Sequence, residues 1–290
     1  MAGYEDRGFV SHDGLDLYAR DYAPEGGERA LPVVCLHGLT RNSADFEEVA
    51  PWIAARGRRV IAMDVRGRGS SAWDPQPMNY HPGIYAVDVL TGLTALGAPR
   101  AVFVGTSMGG LITMTVAAVN GGAVAGAVLN DVGPELAPDA VERIKTYVGR
   151  PAPVATWAEA VAYARGLNAV AFPTVDDETF WERFARRVFR EDASGRPVLA
   201  YDPTIAAFFR EAPTGRTPDL WPMFKALAAG RPILLIRGAI SDLVPAAIAA
   251  RMREAAPEMA YAEAPDVGHA PMLTEPAARE ALAAFLDAAP

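Results

Sequence analysis

Short apolar runs recur along the chain, and most are followed by a longer segment with apolar residues at helical spacing. The runs are Leu31-Pro-Val-Val-Cys-Leu36, Arg59-Val-Ile-Ala-Met63, Ala101-Val-Phe-Val104, Val124 to Leu129, Pro232-Ile-Leu-Leu-Ile236 and the shorter Met259-Ala-Tyr-Ala262. Runs this short and this rich in β-branched residues predict buried strands. Between them, Phe46, Val49, Trp52 and Ile53 mark a helix from about Ser43 to Ala55, with Ser43 as its N-cap. Ile84, Val87, Leu90 and Leu93 mark a helix from Gly83 to Leu96, and Leu111 to Val119 forms another. Helices from Pro245 to Ala256 and from Thr274 to Ala288 close the series. Ahead of them all, Phe9-Val10 and Leu15 to Tyr22 alternate around His12-Asp13-Gly14, as a hairpin does. Strands alternating with helices predict βαβ units and a mostly parallel sheet, whose ligands bind beyond the carboxyl ends of the strands.

From about Pro134 to Phe224 the alternation stops, and no strand is expected. Val141, Ile144 and Val148 fit one helix, Trp157, Val161, Ala164 and Leu167 a second. Phe180, Phe184 and Val188 fit a third, and Ile205, Phe208 and Phe209 a short fourth. Asp176-Asp177-Glu178 before the third and Arg186, Arg187 and Arg190 after it complement a helix dipole. The simplest arrangement makes residues 134–224 a helical cap inserted between two core strands, with 1–133 and 225–290 as the core.

Hydrophobic residues make up 51% of the 290, enough for a sizeable core and too many for disorder. The net charge is −8 and no Lys/Arg-rich run occurs, which disfavours nucleic acid and anionic membranes as partners. The single cysteine, Cys35, has no internal disulfide partner, and no apolar leader precedes the first strand, so a cytoplasmic location is expected. The stretch from Ala101 to Asn130 carries no charge and has the length of a membrane span. Gly105-Thr-Ser, Gly109-Gly110 and Asn120-Gly-Gly interrupt it, so it reads instead as a strand, a helix and a strand, all buried. No histidine–carboxylate cluster has metal-ligand spacing and no dinucleotide signature is present, so neither metal nor cofactor is expected.

The candidate chemistry centres on Gly105-Thr-Ser-Met-Gly109-Gly110, between a predicted strand and a predicted helix. A serine there sits at the apex of a tight turn that lifts its oxygen clear of the sheet. The flanking glycines allow close approach of strand and helix, and the helix N-terminus directs N–H groups at a developing oxyanion. Other polar residues also follow strand ends: His37, Asp64 and Arg66, Asp131, Asp242 and His269.

With these residues the chain resembles the α/β-hydrolase fold family over nearly its whole length. Gly105-Thr-Ser-Met-Gly109 matches the family's elbow, His37-Gly38 its oxyanion loop, Asp64-Val-Arg-Gly-Arg-Gly-Ser70 a turn common after its fourth strand, and Gly268-His269 its histidine loop. The resemblance implies an α/β fold with a mostly parallel eight-stranded sheet, helices on both faces and a helical cap. It implies Ser107 as nucleophile, His269 as acid and base, and Asp242, six residues beyond Ile236, as the orienting acid, in the order Ser…Asp…His. Asp131 is the alternative acid. Of the four histidines, His12 lies in a turn, His37 in the oxyanion loop and His81 in a loop, which leaves His269. The oxyanion hole is expected from the backbone N–H groups of Met108 and Leu39, and Arg66 and Arg68 are expected to brace loops. The implied activity is hydrolysis of a small, apolar carboxylic ester through an acyl-enzyme. A lactonase or a C–C bond hydrolase is the alternative within the family, although Thr106 stands where C–C hydrolases often carry Asn. Ser107 excludes the aspartate-nucleophile chemistry of dehalogenases and most epoxide hydrolases of the fold. A non-catalytic small-ligand receptor is the alternative from another class.

Overall fold

The protein, represented by a computed structural model, is described over residues 3–207 and 219–290. Its chain begins with the expected hairpin, β1 (Glu5–Val10) and β2 (Asp16–Tyr22), then enters β3 (Val33–Leu36). A 3-10 turn at Ser43–Phe46 and α1 (Val49–Ala54) lead to β4 (Val60–Asp64), α2 (Pro82–Ala95) and β5 (Ala101–Thr106). Next come α3 (Met108–Val119) and β6 (Val124–Asn130), and the expected uncharged strand–helix–strand is thus present. The helix expected from Ser43 to Ala55 is therefore broken in two. Asn42, not Ser43, caps its start by accepting from the Ala44 N–H at 2.9 Å, while the Ser43 N–H is drawn to Asp64 Oδ1 at 2.6 Å.

After β6 the chain forms α4 (Pro138–Tyr147), α5 (Trp157–Asn168) and α6 (Glu178–Val188). A short antiparallel pair follows, β7 (Phe189–Glu191) with β8 (Pro197–Leu199), where no strand was expected. Its turn is built locally: the Asp192 carboxylate accepts the N–H groups of Ser194 and Arg196, and Gly195 takes φ 81°. Strands of three residues are too short to show a period of two. Ile205 lies in a 3-10 turn at Pro203–Ala206, whereas Phe208 and Phe209 lie outside the described residues. The chain returns to the core through α7 (Trp221–Ala228), whose Phe224 and Leu227 are fully buried. β9 (Ile233–Gly238), α8 (Ala246–Ala255), β10 (Ala260–Ala264) and α9 (Pro276–Ala288) complete it.

Eight strands form one sheet in the order β1-β2-β4-β3-β5-β6-β9-β10. β1 and β2 pair antiparallel, as do β2 and β4, and all later neighbours are parallel. Every residue of β3, β4, β6 and β9 is buried, because helices cover both faces. Alternation within a strand separates the two layers. Val34, Leu36 and Phe103 join Ile112, Leu129 and Phe224 on the α2–α3 side, while Val33, Cys35, Val102 and Val104 meet Ile53 of α1 and Leu282 of α9 on the other. Cys35 is thus core filler. The carboxyl ends of β3, β4, β5, β6 and β9 consequently lie along one edge, where His37, Asp64, Ser107 and Asp131 follow.

Candidate active site

Ser107 occupies the N-cap of α3 with φ 52° and ψ −117°, in the left-handed half of backbone space that L-residues avoid. Such strain costs on the order of 1–3 kcal/mol and persists only where the surroundings enforce it. They do so here. A β-carbon on Gly105 would lie 2.5 Å from Gly109 O, one on Gly109 would press into Leu36 O, and one on Gly110 into Val132 Cγ1. The glycines therefore let α3 start directly against β3 and β5.

His269 Nε2 lies 2.9 Å from Ser107 Oγ, and its Nδ1 lies 2.7 Å from Asp131 Oδ2. The expected acid, Asp242, is not at the histidine. Its carboxylate is half-exposed and bound bidentately by Arg143, at 2.8 and 3.0 Å. Beyond β9 the chain turns sharply, with Ser241 N–H donating to Gly238 O, so that Ser241 faces inward and Asp242 outward. Asp131 directly follows β6, the strand beside β9, and has φ 53°. Its fully buried carboxylate accepts from Gly238 N–H at 2.9 Å and from Ser241 Oγ–H at 2.6 Å. Two donors besides the imidazole offset the desolvation of that charge and aim it at Nδ1. Nothing in the sequence singles out Ser241 beyond its place next to Asp242.

The loop after β3 is fixed from beneath. His37, wholly buried, donates from Nδ1 to Gly38 O at 2.7 Å and accepts at Nε2 from Val65 N–H at 3.0 Å, a pairing that requires neutral imidazole. Burial lowers its pKa from 6.5 to about 4. Arg68, also wholly buried, donates from Nε to Leu39 O at 3.0 Å and from Nη1 to Arg66 O and Tyr85 Oη, and its Nη2 lies 3.6 Å from Met108 Sδ. Among the described residues, no protein acceptor pairs with the N–H of Leu39 or of Met108. Arg66 is equally buried, held by Asp74 and Asp88 at 2.6 Å and by Asp13 at 2.8 Å. Both arginines brace loops, and neither reaches the cavity. Asp13 and Asp88 also come within ligand reach of His12, but Arg66 already binds both carboxylates.

A cavity opens over Ser107 and His269. Its core-side wall includes Leu39, Arg41, Asp45 and Phe46, and its far wall is Ile144, Tyr147, Asn168, Phe172 and Phe184 from the segment between β6 and β9. Phe172, Phe180, Trp181 and Phe184 pack edge to face or tilted against one another, so only part of this aromatic surface is left for the cavity. The segment is tied to the core at several points. Asn42 donates to Arg187 O, Arg187 pairs with Glu47 and Glu48, and Gly268 N–H donates to Ala171 O at 2.7 Å, one residue before the histidine.

The alpha/beta hydrolase fold family matches residues 32–276. This chain belongs to the α/β-hydrolase family. The hydrolase is 38% identical over 262 residues to a 3-hydroxybutyrate-oligomer hydrolase of Cupriavidus necator, covering 87% of this chain and 88% of the relative. It is 27% identical to a 2-(acetamidomethylene)succinate hydrolase of Mesorhizobium japonicum, covering 80% and 79%. An α/β hydrolase of Novosphingobium aromaticivorans, solved by crystallography, superposes with a TM-score of 0.91 at 43% identity over 99% of both chains. No helix of the described residues is long and apolar enough to cross a membrane.

Proposed function

We propose that this hydrolase cleaves a small carboxylic ester through an acyl-enzyme. The observation that carries the reading is the unbroken line of hydrogen bonds from Ser107 Oγ through His269 to Asp131. In this reading His269 Nε2 takes the Ser107 proton as the oxygen attacks the ester carbonyl. Asp131 holds the imidazole in the tautomer with hydrogen on Nδ1 and balances the imidazolium. The N–H groups of Leu39 and Met108 receive the oxyanion. The tetrahedral intermediate collapses as His269 returns the proton to the alcohol. Water, deprotonated by the same imidazole, then releases the acid. Asp131 thus replaces Asp242 as the orienting acid.

An ester substrate is favoured by the relative that shares 38% of its residues and is named for hydrolysis of a 3-hydroxybutyrate oligomer. A short oligomer of a hydroxy acid would present such a bond. The aromatic and aliphatic lining from Ile144, Phe172, Phe184 and Met272 suits its carbon skeleton. The segment 134–224 supplies that far wall, which is the reason to read it as a cap.

The test is Ser107→Ala. Turnover of p-nitrophenyl butyrate should fall by roughly 10⁵-fold or more, the scale of nucleophile knockouts, with the circular dichroism spectrum unchanged. A fluorophosphonate should label wild type once, at Ser107. Labelling at Ser70 or Ser71 instead, or a variant that keeps its rate, would refute the reading.

A further inference from the structure

Arg41 lines the cavity that holds Ser107 and His269, and it is the one lysine or arginine among the described residues that do so. It follows the oxyanion loop closely. A methyl group on Gly38 would lie 3.5 Å from Arg41 Cγ and 3.8 Å from Ser107 Cβ, so the side chain starts one residue's width from the nucleophile. The guanidinium is held on two sides. Asp45 accepts from Nε at 2.8 Å and from Nη2 at 2.5 Å, which occupies one edge of the fork. Phe184, across the cavity, covers one face, with its ring centroid 4.0 Å from Cζ. Nη1 has no acceptor among the described residues and is not a buried atom; Arg41 borders both the cavity over Ser107 and a smaller opening lined by Tyr147, Tyr163 and Tyr201.

The Arg41 side chain is only 14% exposed, and the desolvation of its charge is offset by the ion pair with Asp45. What remains is a fork of fixed orientation with the Nη1–Nη2 edge open, the geometry that receives a carboxylate through paired, charge-assisted hydrogen bonds. Arg66 and Arg68, the other arginines near the site, are wholly buried and fully engaged. The remaining ionisable groups of the lining are Asp45, Tyr147 and His269.

We propose that Arg41 is a carboxylate-binding residue of the substrate pocket and that the ester this hydrolase cleaves carries a carboxylate near the scissile bond. The proposal rests on the ester reading above and adds the substrate's charge to it. Two probes bracket the position of the charge. One is 3-butyryloxybutanoate, charged on the alcohol side, and the other is monopropyl succinate, charged on the acyl side. Each is compared with its neutral N-methylamide. Wild type should prefer the acid over the amide in at least one pair by roughly tenfold or more in kcat/KM, chiefly through KM. Arg41→Gln should bring that ratio to within about twofold of one, and Arg41→Lys should keep part of it. Equal rates on acid and amide in both pairs for wild type would overturn the proposal, and this comparison needs no variant to fold. So would an Arg41→Gln enzyme slowed by the same factor on acid and amide. Turnover of p-nitrophenyl butyrate runs alongside. If it proceeds while no acid is preferred, the carboxylate site alone falls; if wild type turns over no ester at all, the ester reading falls with it.

Discussion

At the scale of single residues, the site is decided by which carboxylate reaches His269 Nδ1. Asp131 does so at 2.7 Å from a fully buried position with two further donors on its oxygens, whereas Asp242 is bound by Arg143 at the surface. Asp131→Asn keeps the shape but puts an amide where the imidazole needs an acceptor of full charge. It should lower kcat by roughly 10⁴-fold, as loss of the orienting acid does in serine hydrolases generally. Asp242→Asn should change kcat by less than about threefold, because it removes one exposed ion pair. Steady-state kinetics on a single p-nitrophenyl ester checks both, and the reverse ranking would return the acid to Asp242. The strained Ser107 and the glycines around it belong to this scale too. Their spacing was readable in the sequence because steric exclusion is local: Gly105, Gly109 and Gly110 are needed wherever a strand and a helix meet at a serine apex.

At the scale of elements, the loop after β3 is held by the ends of its neighbours. His37 joins Gly38 to Val65 beyond β4, and Arg68 joins Leu39 to the start of α3 at Met108. Neutral His37 is required by those bonds, and burial lowers its pKa from 6.5 to about 4. Within that window the unfolded chain binds a proton that the folded protein excludes. The His37 contribution is therefore fully present above pH 6.5 and is lost as the pH falls towards 4, by about 3 kcal/mol in all. Urea unfolding at pH 7.5 and 4.5 should show this as a difference between wild type and His37→Asn. The variant should be the less stable at pH 7.5, and the gap should narrow at pH 4.5. A gap independent of pH would contradict the neutral buried imidazole.

At the scale of the whole molecule, the segment between β6 and β9 and the edge of the sheet enclose the cavity over Ser107. Its apolar walls bear on the acyl group. If Ile144, Phe172 and Phe184 receive it, kcat/KM for p-nitrophenyl esters should climb from acetate to butyrate. The rise should be roughly 0.8 kcal/mol, or about fourfold, per methylene, before it falls for longer chains. A preference for acetate over butyrate and hexanoate would contradict an acyl pocket of this lining. The helices α4, α5 and α6 were legible from helical spacing, and the Asp176–Glu178 and Arg186–Arg187 ends fit α6 as expected, whereas α7 was not foreseen. The β7–β8 pair was not legible, because strands so short leave no pattern.

The sequence by itself determined the alternation of strand and helix, the reading of the uncharged stretch from Ala101 to Asn130 as strand, helix and strand, the elbow at Ser107 and the choice of His269. Each of these depends on local chemistry: side-chain period, turn geometry, and the position of a loop after a strand. Only the tertiary structure shows which carboxylate meets His269 and what lines the cavity. Asp131 and Asp242 both follow strands, and those strands, β6 and β9, lie side by side although some hundred residues separate them. Which of two neighbouring strand ends turns its carboxylate towards the histidine is fixed by φ 53° at Asp131 and by the tight turn that sends Ser241 inward. Arg41 is likewise one arginine among many in the sequence. It becomes the cation of the site only because the fold stacks Phe184 from a distant helix against it and turns its side chain along the cavity wall.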